Sequence, residues 1–542
     1  MVFNSLIWLE DSMKQKIDAR VIIDLGLNTI YRSLMSIIGS NDLIINELCL
    51  DQKTIYYRQE VLKDFMNSPE LLSNLMEGLS GIIQLKGHLN QGKEETNLFC
   101  LVNLVIIVEA IILSLEALHK TLLHYEIKSE GLSELKEAVI TKTSMNSFKD
   151  MKRDLNEVRY ILSKIKSVEV SINMSVDMRP EEVRVTEIND NSYRFPLAFR
   201  MISESVGVSE KFLGLDMNSY VPLFNLENVD WDILDELANA FKSHKDVFNQ
   251  FVKRYQKVDI KPFITLLEEL TFYQASYEMS NQLKRLGLPQ CVPKLLNANE
   301  RAMYLNNFYN VNTAFEKMNT MESLPNKSII LNDITMNNEA RIFILTGPNM
   351  GGKTTITQAI GQIQIFAQLG LLVPAEQASI SLADNIFTHF SVEEKETVDL
   401  GRLGKECEMF STIFHQSSDK SLLLLNESFS GTSHLESLKI AEEAVMAAKY
   451  KRLRMVYNTH LHELAATACN YNDIFNNDTH IISILIGDKR DILSYKIKIG
   501  EPLGMSYARD EAYKYGITYE QLTGKEEVNT YGKSNLQFVV VK

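Results

Sequence analysis

Hydrophobic side chains recur at helical spacing through the first 165 residues or so. Between positions 51 and 79, Ile55, Leu62 and Phe65 fall on one helical face, and Leu71 and Leu75 continue the pattern. Helical patterns return between about residues 230 and 320. This part of the chain is therefore predicted to be mainly α-helical.

A different spacing interrupts the helical region near residue 168. Val168, Val170 and Ile172 alternate with polar residues, Pro180 follows a break, and alternation resumes at Val183. Alternation with a period of two is typical of a half-buried strand. The pattern predicts a small β-hairpin within the helical region.

After about residue 326, short apolar runs alternate with helical segments. The runs read "RIFILTG", "SLLLLNE", "RMVYNTH" and "IISILIG". Strands that alternate with helices indicate a mostly parallel sheet with helices on its faces. The predicted architecture is a large, mainly α-helical domain over residues 1–325, followed by an α/β domain over residues 326–542.

Composition narrows the function classes. The 542-residue chain is 45% hydrophobic and 23% charged, which is ordinary for a globular protein of more than one domain. Its net charge of −14 argues against a protein whose whole surface is basic and binds nucleic acid, but it is compatible with a local basic surface. The six basic residues between Lys242 and Lys261 are interpreted first as a solvated helix face and second as a DNA contact.

Compartment follows from the cysteines and from the apolar segments. The five cysteines lie far apart and form no CxxC pair, which favours a reducing cytoplasm over a disulfide framework or a zinc site. The first residues show no signal-peptide pattern. The apolar run from Phe99 to Leu118 contains Glu109 and Glu116, which are costly in lipid, so a buried core helix is preferred and no membrane partner is expected.

A complete phosphate-binding motif opens the chemistry of the α/β domain. Residues 347–354 fit GxxxxGK[ST], follow the predicted strand Ile342–Leu345 and begin a predicted helix. Its glycines let backbone N–H groups converge on phosphate oxygens at a helix N-terminus. Lys353 is expected to reach the β- and γ-phosphates of ATP, and Thr354 to ligate Mg²⁺. The predicted nucleotide-binding residues of the loop are Gly347, Pro348, Asn349, Met350, Gly351, Gly352, Lys353, Thr354 and Thr355.

A second motif lies where the predicted strand Leu422–Leu425 ends in Asn426 and Glu427. In P-loop ATPases a carboxylate at such a strand end supports magnesium, and a following glutamate orients the attacking water. Glu427 suits the second role, and Thr354, Asn426 and Glu427 form the predicted metal site. Asn426 keeps a carbonyl oxygen without the charge, so a nucleotide sensor that does not hydrolyse ATP is the alternative.

A third predicted strand, in "RMVYN", is followed by Thr459 and His460. A lone histidine is usually structural. Beside the other two motifs, His460 is predicted to contact the γ-phosphate, and it joins Lys353 and Glu427 in the predicted catalytic set.

These segments resemble the MutS family of DNA mismatch-repair ATPases, an ABC-type lineage. The family's TGPNMGGKS/T segment is intact from Thr346 to Thr354, and Asn426–Ser433 keeps the glutamate and the GTS of its DELGRGTS-like segment. Asn458–Leu464 is similar to the family's ATHYHEL-like segment. Leu331–Asp333 resembles its PND segment, which implies a nucleotide contact for Asn332. The resemblance is strong over about 326–520 and fainter before it.

The resemblance implies an organisation and a mode of action. An ABC-type P-loop ATPase domain over 326–542, ending in a dimerisation tail, would follow a MutS-like core and lever domain over 1–325, with a short clamp near 165–260. A homodimer with composite ATP sites would bind duplex or branched DNA, with ATP and Mg²⁺ as cofactors.

Two departures from the family pattern change this expectation. No Phe-x-Glu segment, which mismatch-detecting members wedge into the duplex, occurs in the sequence, and the chain starts in core-like helices. Specific mismatch reading is therefore not expected. In "DLGRLGKECEMF", Gly401 and Arg402 remain, but Leu403 stands where the family has a serine that contacts phosphate. The backbone N–H groups of Gly401 and Gly404, or Lys405, are the expected substitutes.

The leading hypothesis is an ATP-dependent DNA-binding protein of the mismatch-repair type, with hydrolysis at a dimeric site. One alternative is a nucleotide-gated protein that acts on RNA or ribosomes, as a second MutS lineage suggests. The other is a nucleotide-binding scaffold with weak or no catalysis.

Overall fold

The chain forms two compact units in the computed structural model. Its described residues are 3–30, 46–85, 98–164, 166–177, 180–191, 244–319, 329–348, 351–391, 401–475, 477–486, 494–500, 516–517 and 521–522. One unit comprises Met1–Leu9 and Glu60–Gln274, and the other comprises Glu10–Gln59 and Ala275–Lys542. Residues 10–59 thus belong to the same unit as the phosphate-binding motif. The predicted domain boundary between residues 325 and 326 stays a prediction.

Helices and strands are numbered here in chain order. The described α-helices are α1 Ala19–Asp24, α2 Gln52–Asn67, α3 Pro69–Gly78, α4 Ser80–Leu85, α5 Leu98–His124, α6 Glu130–Ser144, α7 Asn146–Leu162, α8 Lys245–Tyr255, α9 Lys261–Arg285, α10 Val311–Asn319, α11 Lys353–Leu369, α12 Arg402–Gln416, α13 His434–Tyr450 and α14 His462–Thr467. Short 3₁₀ turns span Ala298–Glu300 and Ala468–Asp473. The described strands are β1 Lys14–Lys16, β2 Glu47–Cys49, β3 Ser167–Met174, β4 Pro180–Asn189, β5 Lys294–Leu296, β6 Met303–Phe308, β7 Asn332–Met336, β8 Ile342–Thr346, β9 Gln377–Ser381, β10 Ile386–Phe390, β11 Leu422–Asn426, β12 Arg454–Asn458, β13 Ile481–Ile486 and β14 Ile497–Ile499.

Helix α5 is the long apolar element of the first unit. Among the described helices it alone is long and apolar enough to cross a membrane, and 56% of its apolar window is buried in the fold. Glu109 Oε1 accepts a hydrogen bond from Arg159 Nη1 at 2.5 Å, and Glu116 pairs with Lys152, both partners lying on α7. These pairs give the two glutamates a role in packing α5 against its neighbour, which supports the interpretation as a core helix.

The predicted β-hairpin is confirmed by β3 and β4, which pair antiparallel with Val170 opposite Val185.

Residues 192–243 of the predicted clamp lie outside the described residues, as does Lys242 of the basic segment. Arg254 of that segment lies on α8 and is ion-paired at 2.5 Å with Asp154. At least this basic side chain is therefore engaged within its own unit.

A six-stranded sheet organises the second unit, in the order β10-β11-β12-β8-β13-β14. All neighbouring pairs are parallel except β13 and β14. Strands β8, β10 and β12 are buried along their whole length, as expected for a parallel sheet covered on both faces. A second sheet of four strands has the order β5-β9-β6-β7.

Helix α11 is enclosed on nearly all sides, because the N-terminal segment covers it. A Cβ added at Gly361 would lie 2.6 Å from Leu25 and 2.7 Å from Leu424 of β11. The amides of Gln362 and Gln368 donate to the carbonyl oxygens of Leu25 and Cys49, each at 2.9 Å. Residues 10–59 thus complete the core around the helix that starts at the phosphate-binding motif.

Candidate active site

The three predicted motifs meet at one edge of the six-stranded sheet. Strands β11, β12 and β8 are parallel neighbours, with Asn426 opposite Asn458 and Asn458 opposite Leu345. Because parallel strands have their carboxyl ends at the same edge, the loops carrying Gly347, Glu427 and the histidine motif leave the sheet side by side. This is the edge at which open α/β sheets bind ligands.

The loop between β8 and α11 depends on glycine at two positions. A Cβ at Gly347 would lie 2.9 Å from the carbonyl oxygen of Ile486, and φ at Gly347 is 151°. Gly352 precedes the helix with φ of 89°, in the left-handed region. Asn349 and Met350 lie outside the described residues, so their predicted nucleotide contacts stay predictions.

Lys353 is buried at the first position of α11, with 5% of its surface exposed. Its Nζ donates to the carbonyl oxygens of Gly347 at 3.1 Å and Pro348 at 3.0 Å. Burial lowers the pKa of Lys353, and the nearby Glu427 carboxylate opposes that shift. The ammonium group therefore lies within the loop that would cradle phosphate, and phosphate oxygens can replace the carbonyl oxygens as its acceptors.

Thr354 and two asparagines form a hydrogen-bonded group behind the loop. Thr354 Oγ1 donates to Asn426 Oδ1 at 3.0 Å. Asn458 Nδ2 also donates to Asn426 Oδ1 and, at 3.4 Å, to Thr354 Oγ1. Two donors thus occupy the carbonyl oxygen of Asn426, which the sequence placed in the predicted metal site.

Glu427 and His460 face each other beside this group. His460 Nε2 donates to Glu427 Oε1 at 3.1 Å, and both side chains are about two-fifths exposed, at 43% and 40%. Glu427 has φ of 52°, a conformation that non-glycine residues adopt at an energetic cost. Its backbone N–H donates to the Asn458 carbonyl oxygen at 2.9 Å. The backbone therefore directs the carboxylate out of the sheet edge toward open space.

Asn332 and Thr355, which are also predicted to contact the nucleotide, form hydrogen bonds within the protein. Asn332 is buried, and its amide is bonded on both sides to backbone: Nδ2 donates to Tyr495 O at 3.1 Å and Oδ1 accepts from Ile497 N at 2.8 Å. Its direct contact with a nucleotide stays a prediction. The structure shows Asn332 holding the segment whose Tyr495 ring would lie 3.4 Å from a Cβ at Gly352. Thr355 lies on the first turn of α11, and its carbonyl oxygen accepts from a side-chain amide nearby.

The sequence provided no signal for His389, which is fully buried at the end of β10. Its Nε2 donates to the Glu406 carbonyl oxygen of α12 at 2.9 Å, and its Nδ1 lies 2.6 Å from Ser428 Oγ. Burial lowers the pKa of His389 to about 4, so the imidazole is neutral near pH 7. His389 thereby joins α12 to the residue after Glu427.

The segment with the altered family serine lies at the start of α12. Leu403 is half-buried and packs against the apolar core of the domain, together with Phe410. The backbone N–H of Lys405 donates to the Gly401 carbonyl oxygen at 3.3 Å. Leu403 thus contributes to packing, and a phosphate contact by Gly401, Gly404 or the Lys405 side chain stays a prediction.

Comparisons with known families match both parts of the chain. The MutS domain V model matches residues 343–514, and the MutS2 N-terminal domain model matches residues 50–286. The chain belongs to the MutS family. The first match covers the described loop, Glu427 and His460, and the second covers most of the helical region.

This MutS-family chain is similar to curated DNA mismatch repair proteins over part of its length. It is 33% identical over 222 residues to a DNA mismatch repair protein MutS of Prochlorococcus marinus (strain MIT 9312), covering 39% of this chain and 24% of that protein. It is 33% identical over 208 residues to one from Clostridium tetani (strain Massachusetts / E88), covering 38% of this chain and 22% of the relative. The matched region thus spans about a quarter of each relative, so similarity to them bears on part of the protein and not on the whole.

Family membership implies Mg²⁺ with the nucleotide, and the donors of this site suit a weakly held ion. Among the described residues, no group of three or more His, Cys, Asp or Glu side chains could hold a metal by themselves. The hydroxyl hydrogen of Thr354 is directed to Asn426, which leaves an oxygen lone pair available. Magnesium keeps several waters and binds through few protein ligands plus substrate phosphates, so Thr354 and Glu427 fit such an ion.

Proposed function

We propose that this MutS-family chain is an ATPase that binds DNA as a homodimer. One observation carries the proposal: Lys353, Thr354 and the Glu427–His460 pair meet at a single sheet edge. This grouping joins a phosphate cradle, a hydroxyl with an available lone pair and an outward-facing carboxylate. Together they suit phosphoryl transfer to water.

Each side chain has a defined role in this proposal. The loop amides and Lys353 stabilise the charge of the phosphates, and Glu427 accepts a hydrogen bond from the attacking water. His460, which holds Glu427 at 3.1 Å, orients that carboxylate and faces the γ-phosphate. Thr354 and Glu427 would hold Mg²⁺, which would supply positive charge to the phosphates when bound. The products are ADP and inorganic phosphate.

DNA is the proposed partner because the matched relatives are named DNA mismatch repair proteins. No Phe-x-Glu segment occurs in the sequence, so specific recognition of a mismatch is not expected of this chain. Cys49, Cys100, Cys291 and Cys407 are free thiols, which agrees with the proposed reducing, cytoplasmic setting. The division into an N-terminal core and lever domain, a short clamp and a C-terminal ATPase domain with a dimerisation tail forms part of the same proposal.

A second candidate function follows from the match to the MutS2 N-terminal domain over residues 50–286. This candidate is a nucleotide-gated protein that binds RNA or ribosomes. It shares the ATP site with the first candidate and differs from it in the partner nucleic acid.

Two measurements on the purified chain test the proposal. Phosphate release from ATP should depend on Mg²⁺ and should be lost in Glu427→Gln, whereas a chain that binds ATP without hydrolysing it would be a nucleotide-binding scaffold. Gel shifts over a salt series should show DNA binding that weakens as salt rises, since phosphate contacts release counterions. Binding to structured RNA in place of DNA would favour the second candidate.

A further inference from the structure

Asn458 is a buried amide beside the proposed ATP site, at the last position of β12. It is fully buried, and its register partner on β11 is Asn426. The Asn458 Nδ2 group donates to Asn426 Oδ1, which also accepts from Thr354 Oγ1. The same Nδ2 group donates a longer bond to Thr354 Oγ1, at 3.4 Å.

The other end of the Asn458 amide argues against a role in packing alone. Its Oδ1 atom is buried and has no hydrogen-bond partner among the residues that the structure describes. An unpartnered buried carbonyl oxygen costs free energy that an alanine or an apolar side chain would avoid. The favourable part of the side chain is therefore its Nδ2 group, which donates to Asn426 and, over a longer distance, to Thr354.

This donation matters because an amide, unlike a carboxylate, has two different ends. Rotating the Asn426 amide by half a turn exchanges its acceptor oxygen for two N–H donors. Only the oxygen can accept the Thr354 hydroxyl hydrogen and so leave an oxygen lone pair of Thr354 directed elsewhere. A carboxylate at position 426 would present an oxygen in either orientation.

We propose that Asn458 is a positioning residue that fixes the Asn426 amide with its oxygen toward Thr354, and thereby prepares the Thr354 hydroxyl to ligate the magnesium of Mg·ATP. The Asn458 donor thus offsets the loss of symmetry that comes with an amide in place of a carboxylate at position 426. This inference rests on the proposed ATP-binding function.

A double-mutant cycle tests it by nucleotide binding, without a need for turnover. Binding of a fluorescent ATP analogue is measured as a function of Mg²⁺ concentration in four proteins: the wild type, Asn458→Ala, Asn426→Asp and the double variant. Asn458→Ala should raise the Mg²⁺ concentration for half-maximal binding about tenfold, close to the effect of one hydrogen bond. In the Asn426→Asp background the same change should have less than about a twofold effect, because the carboxylate needs no orienting donor.

Two further variants separate positioning from folding. Asn458→Leu has a similar size without the donor and should reproduce the shift seen with Asn458→Ala. Asn472 bonds the backbone of Ile481 in the same unit through both ends of its amide. Asn472→Ala should lower the melting temperature without changing the Mg²⁺ dependence.

The outcomes distinguish the two proposals. Equal shifts in the wild-type and Asn426→Asp backgrounds, or no shift with either Asn458 variant, would overturn the positioning role while ATP binding stands. A wild-type chain that binds no nucleotide at any Mg²⁺ concentration would instead overturn the proposed function on which the role depends.

Discussion

His460 Nε2 lies 3.1 Å from Glu427 Oε1, although the two residues follow different strands of the sheet. The Glu427 side chain remains about two-fifths exposed at the sheet edge, so solvent reaches the carboxylate while the histidine orients it. Burial lowers the pKa of Lys353 and the Glu427 carboxylate raises it, so the proposed water-orienting and phosphate-binding groups belong to one site.

Glu427→Gln should lower ATP turnover by at least about a hundredfold, the scale of losing a transition-state contact. Glutamine keeps the size of the side chain and an oxygen for the His460 hydrogen bond, so nucleotide affinity should change little. Steady-state phosphate release and ATP-analogue binding measure the two effects.

A matched control for this change is Glu463, which forms a similar pair with His434 at 3.1 Å on the surface of the same unit. Glu463→Gln should retain most of the turnover. Equal losses in both variants would mean that the effect is not specific to the position of Glu427.

Lys353→Ala removes the ammonium group that is proposed to meet the β- and γ-phosphates. ATP turnover should fall by about two orders of magnitude or more, with weaker nucleotide binding, because the phosphate charge loses a buried cation. Lys449 is a suitable control, since it is also buried and its Nζ donates to the Thr479 carbonyl oxygen at 2.8 Å. Lys449→Met should reduce stability but not nucleotide affinity. Normal turnover in Lys353→Ala would reject the assignment of the site.

His389 should make stability depend on pH. Its pKa is lowered from 6.5 to about 4 in the folded chain, so the unfolded chain binds more protons between these values. The contribution is complete above pH 6.5 and is lost as pH falls toward 4, by about 3 kcal/mol in total. Urea unfolding at several pH values should show this loss in the wild type.

In His389→Gln the loss should be smaller by a similar amount, because glutamine does not titrate. Above about pH 7.5 the free energies of unfolding of the wild type and the variant should depend on pH in the same way, since His389 is neutral in both the folded and the unfolded state there. An unchanged pH dependence in the variant would show that the loss comes from other groups.

DNA binding should discriminate poorly between a matched duplex and a duplex with one mismatch. Kinking DNA at a lesion needs an inserted apolar side chain. The Phe-x-Glu segment to which the family resemblance assigns that insertion does not occur in this sequence. Competition binding at constant salt should give a ratio below about tenfold, or about 1.4 kcal/mol. A larger preference would mean that another part of the chain reads the mismatch.

The sequence by itself determined the local elements of the site. Hydrophobic spacing located β8, β11 and β12, and the residue types after them identified Lys353, Glu427 and His460, because strand ends and glycine-rich turns have strong local signatures. The hairpin near residue 170 was equally readable, since its strands alternate with a period of two.

Only the tertiary structure decided which distant residues complete these elements. The strand order places Asn458 opposite Asn426, and the fold of residues 10–59 places Leu25 against Gly361. His389 is buried and bonded to both Ser428 and α12, and its sequence neighbours in "IFTHF" do not predict these contacts. Strand order and burial depend on contacts between segments far apart in the chain, and no local pattern of residues contains that information.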